Sequence, residues 1–176
     1  MKKVVLVGLL AFSVALFASA RPVVQSQAPT NDLENAVVNA LLSLPHYGVF
    51  DNLFFETSGR DVTLLGQAVL EITKAEAAKR VARIKGVGTV VNKIEVLPPS
   101  PSDDALRMAL YRRIFGAADL YRYSLGADPT IHIIVKGGHV TLVGMVSTAQ
   151  DRQRAEMVAK SLPGIFSFTN SLRLTR

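Results

Sequence analysis

The densest run of side chains able to hold an anion lies in the second half of the chain. Arg107, Tyr111, Arg112, Arg113 and Phe115 follow one another there, and Arg122 stands between Tyr121 and Tyr123. Arginines mixed with aromatics suit a peripheral contact with anionic lipid headgroups. The rings enter the interface while the guanidinium groups pair with phosphate. If Leu106, Leu110 and Ile114 face a core, then Arg107 and Tyr111 share an outward strip at i, i+4 spacing. Arg112 and Phe115 lie beside it at i, i+3. At about 1 kcal/mol per basic residue near an anionic surface, three or four arginines give weak, salt-sensitive, reversible attachment. The competing reading has Tyr111 and Phe115 completing a core or packing between two parts of the chain.

The remaining polar residues offer little chemistry. Catalysis needs a base held near a nucleophile, or a metal with several ligands. Of the three histidines, His139 flanks a turn and His132 alternates away from Ile131 and Ile133. His46 sits beside Pro45 in a loop. No two of them have metal-ligand spacing, and the chain has no cysteine, so no metal, cofactor or catalytic residue is expected. Ser147 and Thr148 read as helix caps, and the glycines as turn and helix-end residues rather than a phosphate loop. Asn92 and Asn170 face inward on strands, where hydrogen bonds to neighbouring backbone are expected.

These side chains have to be positioned by a fold, and the N-terminus is set apart from it. Lys2-Lys3, an apolar run from Val4 to Phe17 and Ala18-Ser19-Ala20 read as a secretory signal cleaved after Ala20. A membrane anchor is the alternative, but the run is shorter than the roughly 20 residues a span requires. Residues 21–30 read as a flexible leader. With no cysteine, the expectation is an exported protein, soluble outside the inner membrane, without disulfide or lipid anchor. Export and a modest net charge argue against nucleic acid as a partner. Charge is uneven: Asn31 to Leu97 holds seven basic and eight acidic residues, whereas Ser102 to Arg176 holds ten and six. That asymmetry points to something anionic meeting the second half.

An internal repeat organises the rest. Gly59, Val62-Thr63-Leu64 and Gly66 recur 78 residues later as Gly137, Val140-Thr141-Leu142 and Gly144. The same offset carries Ala77 onto Ala155, Gly86 onto Gly164 and Asn92 onto Asn170. Leu33, Val37 and Leu41 match Leu106, Leu110 and Ile114 at an offset of 73. The expected domains are residues 31–97 and 102–174, joined by a Pro-rich connector over 98–101. Each copy reads helix, strand, strand, helix, strand. Asn31-Asp32 and Ser102-Asp103-Asp104 serve as caps of the first helices, and Thr73 with Glu76 as a capping box. Gly137-Gly138 forms a two-residue hairpin turn with Val135 facing Val140 and Ile133 facing Leu142. Each module is then α+β, an α-β-β-α-β unit with a three-stranded mixed sheet and two helices on one face. Phe54, Leu65, Ile134 and Val143 fall on the opposite face, where they are expected to join the modules or meet a partner.

The pattern G-x-x-V-T-L-x-G, a helix with small core residues, then G-V/I and an asparagine in an alternating strand, resembles the BON domain. It occurs as Gly59 to Gly66, Gly86-Val87 and Asn92, and again as Gly137 to Gly144, Gly164-Ile165 and Asn170. Tyr47-Gly48-Val49-Phe50-Asp51-Asn52 also resembles a subfamily with tandem copies. The resemblance implies an exported, non-enzymatic protein of the bacterial envelope. It further implies links to osmotic stress, envelope integrity and phospholipid surfaces, with an envelope protein as the alternative partner.

Overall fold

The computed structural model describes residues 21–22, 32–125 and 130–175. The expected signal segment and most of the leader lie outside the described residues. Two α-β-β-α-β units follow one another. The first comprises α1 (Asp32–Leu42), β2 (Asn52–Ser58), β3 (Asp61–Ala68), α2 (Glu71–Val81), β4 (Val90–Asn92) and β5 (Glu95–Val96). The second comprises α3 (Pro101–Phe115), β6 (Ile131–Lys136), β7 (His139–Val146), α4 (Ala149–Lys160) and β8 (Ser167–Leu174), with a 3-10 turn over Tyr121–Ser124. A two-residue strand, β1 (Arg21–Pro22), pairs antiparallel with β2, so the stretch read as leader begins inside the first sheet.

In each unit an antiparallel hairpin is followed by a helix and a strand parallel to the second hairpin strand, giving the expected mixed sheet. The second sheet runs β6-β7-β8. In the first, the third strand is split: β4 and β5 both pair with β3 on either side of Lys93-Ile94. The register of the second hairpin is the one the alternation predicts, with Val135 opposite Val140 and Ile133 opposite Leu142. Its turn has Gly137 at φ 57° and Gly138 at φ 76°, the pair of positive angles that a tight hairpin matched to strand twist requires. Gly66 and Gly144 are required for another reason. A Cβ there would lie 1.9 Å from the Asn52 carbonyl oxygen and 2.1 Å from that of Thr130, so the neighbouring strand leaves no room for a side chain.

Two buried clusters result, one per unit. Val37 and Leu41 of α1, Ala77 and Val81 of α2, and Leu53, Phe55, Val62 and Leu64 of the sheet form the first. Leu110 and Ile114, Ala155 and Ala159, and Ile133, Val135, Val140 and Leu142 form the second. Small alanines on α2 and α4 let these helices lie close to their sheets. The helical stripe and the strand alternation seen in the sequence thus meet in matched interiors.

Two helix starts differ from expectation. Ser100, not Ser102, caps α3, its Oγ accepting from the Asp103 amide at 3.2 Å. Pro101 is therefore the first helical residue rather than connector, a place where its fixed φ fits and no donor is lost. Asp103 is drawn away to the hairpin turn, where it accepts from the amides of Gly137 at 2.7 Å and Gly138 at 2.9 Å. Helix α2 starts at Glu71 behind Leu70 with no side-chain cap, and Thr73 is buried within the helix, so Thr73 and Glu76 form no capping box. Thr148 does cap α4, accepting from the Asp151 amide at 3.0 Å.

The units touch through the loop after α1. The Val49 carbonyl accepts from the Ile133 amide at 2.7 Å, which covers part of the exposed edge of β6. Val49 and Phe50 pack against the second core. Tyr47, part of the first core, stands 5.6 Å from the His132 ring. Ile134, on the face opposite the helices, is buried. Lys136 pairs with Glu95 across the units.

Candidate functional site

Helix α3 carries most of the expected anion-binding residues, and its burial pattern sorts them. Arg107 is only 3% exposed. It pairs with Asp104 and donates to the Val135 carbonyl, pinning α3 to β6. It therefore does not lie on an outward strip. A long side chain next to a buried stripe can fold onto the sheet when a carboxylate and a carbonyl satisfy it. Phe115 is likewise a core residue. Tyr111 lies between Phe115 at 5.1 Å and Phe50 at 6.2 Å, edge to face with both, and so packs between the repeats.

Arg122 is also engaged. It donates to the Tyr123 hydroxyl at 3.0 Å and to Asp151 at 2.7 Å, and the same hydroxyl donates to Asp151 at 2.8 Å. The hydrogen bond with Tyr123 raises the Arg122 pKa first of all, against desolvation and with help from Asp151. For Asp151, burial opposes ionisation. Hydrogen bonds from Thr148 and Tyr123 and the Arg122 charge more than offset it, so the carboxyl sits below its ordinary range. This network ties the 3-10 turn to the start of α4.

Arg112 and Arg113 remain exposed. Arg113 Nε reaches Ser161 Oγ at 3.4 Å, and no ion pair joins either arginine to an acidic side chain among the described residues. They line a hollow of about 500 Å³ between α3 and α4 together with Arg154, Met157 and Val158. Arg154 is absent from the residues that the sequence singles out. A signal for it exists: Arg154, Met157, Val158 and Ser161 recur at helical spacing beside the buried Ala155 and Ala159. Asp119 lies 3.5 Å from Arg154. A second hollow of about 580 Å³ adjoins along the same two helices. It is lined by Leu106, Ala109, Leu162, Pro163, Gly138 and Phe166.

Asn92 and Asn170 hold their helices rather than a ligand. Asn92 donates to the Lys74 carbonyl at 2.9 Å and accepts from the Ile94 amide at 3.2 Å. Asn170 donates to the Arg152 carbonyl at 3.1 Å and accepts from the Leu172 amide at 3.2 Å, both backbone partners displaced by the same 78 residues, and it donates in addition to Glu156 at 3.0 Å. The histidines stay apart. His132 is fully buried beneath the first repeat, its Nδ1 3.2 Å from the Gly48 carbonyl oxygen. His139 meets Ser167 at 2.7 Å, and His46 is exposed. Among the described residues no group of three or more acidic or histidine side chains is placed to hold a metal ion. None of the described helices is long and apolar enough to cross a membrane.

Fold, register and displaced-by-78 bonding define a protein of two tandem α-β-β-α-β repeats. The model of the BON domain family matches residues 31–98 and 102–176, and the chain belongs to that family. No curated protein matches it. Among solved structures, it is similar to the C-terminal domain of CdsD, a structural protein of the type III secretion system of Chlamydia trachomatis. The TM-score is 0.34 at 12% identity, over 84% of this chain and 100% of that one. A further CdsD structure gives 0.33 at 12% identity, over 82% and 93% of the two chains.

Proposed function

We propose that the protein is a non-enzymatic binding module of the bacterial envelope, exported to the periplasm, that attaches reversibly to anionic phospholipid surfaces through its second repeat. The observation that carries this reading is the pair Arg112 and Arg113. They are exposed, lack an acidic partner among the described residues, and stand beside Arg154 at the rim of one hollow. The excess of basic residues in the same half supplies the long-range attraction. Arg107, Phe115 and Arg122 are not part of the proposed contact, because each is committed to the fold. Tyr111 supports it only by holding α3 against Phe50.

Co-sedimentation of the mature protein with vesicles tests the reading. Pelleting is expected with phosphatidylglycerol-containing vesicles at low salt and not with phosphatidylcholine alone, with release as salt rises. Arg112→Glu with Arg113→Glu should abolish pelleting while circular dichroism is unchanged. Equal pelleting with neutral and anionic vesicles contradicts the proposal. Docking onto an envelope protein is the second reading, supported by the exposed apolar surface of the second hollow. Cross-linking in cells that captures a stoichiometric protein partner favours it.

A further inference from the structure

We propose that Phe166 is the point at which the second repeat enters the apolar boundary of an anionic bilayer, beside the arginines that meet its phosphates. The proposal rests on the membrane reading above and adds to it a residue outside the basic run.

Phe166 is 80% exposed, far more than any other large apolar side chain of the described residues. Its exposure is built in. The Phe166 amide donates to the Gly138 carbonyl at 2.9 Å, and the same bond in the first repeat runs from Gly88 to Arg60 at 2.7 Å. At these equivalent places the two repeats exchange sizes. In the first, Arg60 fills the space and reaches the Gly86 carbonyl at 2.7 Å, and a Cβ on Gly88 would lie 2.7 Å from Asp61 Oδ1. In the second, position 138 is glycine, and a Cβ added there would stand 2.6 Å from the Phe166 ring. The ring occupies what Gly138 leaves free, with His139 at 6.2 Å on its flank. An aromatic ring is thus held at the surface at a position where the first repeat has glycine.

Its surroundings are apolar on one side and cationic on the other. Phe166 shares its hollow with Leu106, Ala109 and Leu162. Ala109 is one helical turn from Arg113, and Leu162 follows Ser161, which Arg113 contacts. The apolar hollow therefore runs into the arginine-lined one along a single side of α3 and α4. A protruding ring in one hollow, with Arg112 and Arg113 in the adjoining one free of any acidic partner among the described residues, matches the depth order of a bilayer, hydrocarbon next to phosphate. A second copy of this chain fits less well, because it would set Arg112 and Arg113 against their own like.

The chain contains no tryptophan, so Phe166→Trp in the full mature protein is a single reporter. With phosphatidylglycerol vesicles at low salt, its emission is expected to shift to the blue and to be quenched by lipids brominated on the acyl chains. Phe166→Ser should weaken vesicle binding by about tenfold with unchanged circular dichroism. An indole at this position that stays water-exposed while the protein pellets normally overturns this proposal and leaves the membrane reading standing. Absence of pelleting overturns both. A blue shift that grows with protein concentration, without vesicles, assigns Phe166 to a second copy and overturns it also.

Discussion

The two repeats are one scaffold with different surfaces. Two close contacts are kept at a fixed offset: the glycine packed against the carbonyl of the facing strand, and the asparagine bonded to a helix carbonyl and a strand amide. Other positions are not, whether buried or at the surface. Glu34 in α1 accepts from Thr57, whereas at the matching place Arg107 donates to the Val135 carbonyl. Both join the first helix to the first hairpin strand with opposite charge. Arg60 and Gly88 become Gly138 and Phe166. The third strand is broken around Lys93 in the first repeat and continuous over eight residues in the second. Interior geometry constrains residue type by contact distance, and the surface is where one copy can acquire a binding role.

The strongest way to break this comparison is at the packed glycines. Gly66→Ala and Gly144→Ala should each destabilise by about 3 kcal/mol or more, since positive φ and a carbonyl near 2 Å both oppose a methyl group. Urea unfolding monitored by circular dichroism checks this. A loss below about 1 kcal/mol at either site would show that the strands can separate there. Asn92→Ala and Asn170→Ala come next, at about 1–3 kcal/mol each from the stranded backbone groups. The comparison requires the two losses to be similar. A loss at only one of them means that the matching bonds do different work.

The smallest effect concerns acid, and here the repeats should respond with opposite sign. Asp151, held below its ordinary range, contributes stability that is present above pH 3.8 and lost as pH falls through its depressed pKa. Burial pushes the Asp51 carboxyl up, against hydrogen bonds from the Val69 and Gly48 amides at 2.8 and 2.9 Å. Asp51 therefore binds its proton more readily folded than unfolded, and its ionisation lowers stability as pH rises from 3.8 through the raised pKa. Asp151→Asn should flatten the fall in stability below pH 3.8, and Asp51→Asn should not. Equilibrium unfolding at a series of acidic pH values separates the two.

Much of this fold is legible in the sequence because its causes are local or periodic. The offset of 78, the Gly137-Gly138 turn and the apolar alternation fix the units, their register and their cores. The site is legible in part. Arg112 and Arg113 follow from helical phase, but Arg107 occupies a phase that periodicity alone places outside. Its burial depends on Asp104 and on a carbonyl 28 residues away. The docking of Val49 and Phe50 on the second unit has no periodic signature, so His132 reads as an outer-face residue although it is covered. Phe166 is silent in the sequence for a related reason. An apolar residue in a loop gains meaning only when Gly88, its counterpart, is set beside it.

The central claim is that the anionic surface is met by the second repeat and not the first. Paired charge reversals test it most directly: Arg112→Glu with Arg113→Glu against Arg80→Glu with Arg83→Glu on α2 and its end, each assayed for pelleting with phosphatidylglycerol vesicles at low salt. Loss of binding in the first variant and near-normal binding in the second is the predicted result. Equal loss in both would reduce the interaction to net charge alone and contradict the account.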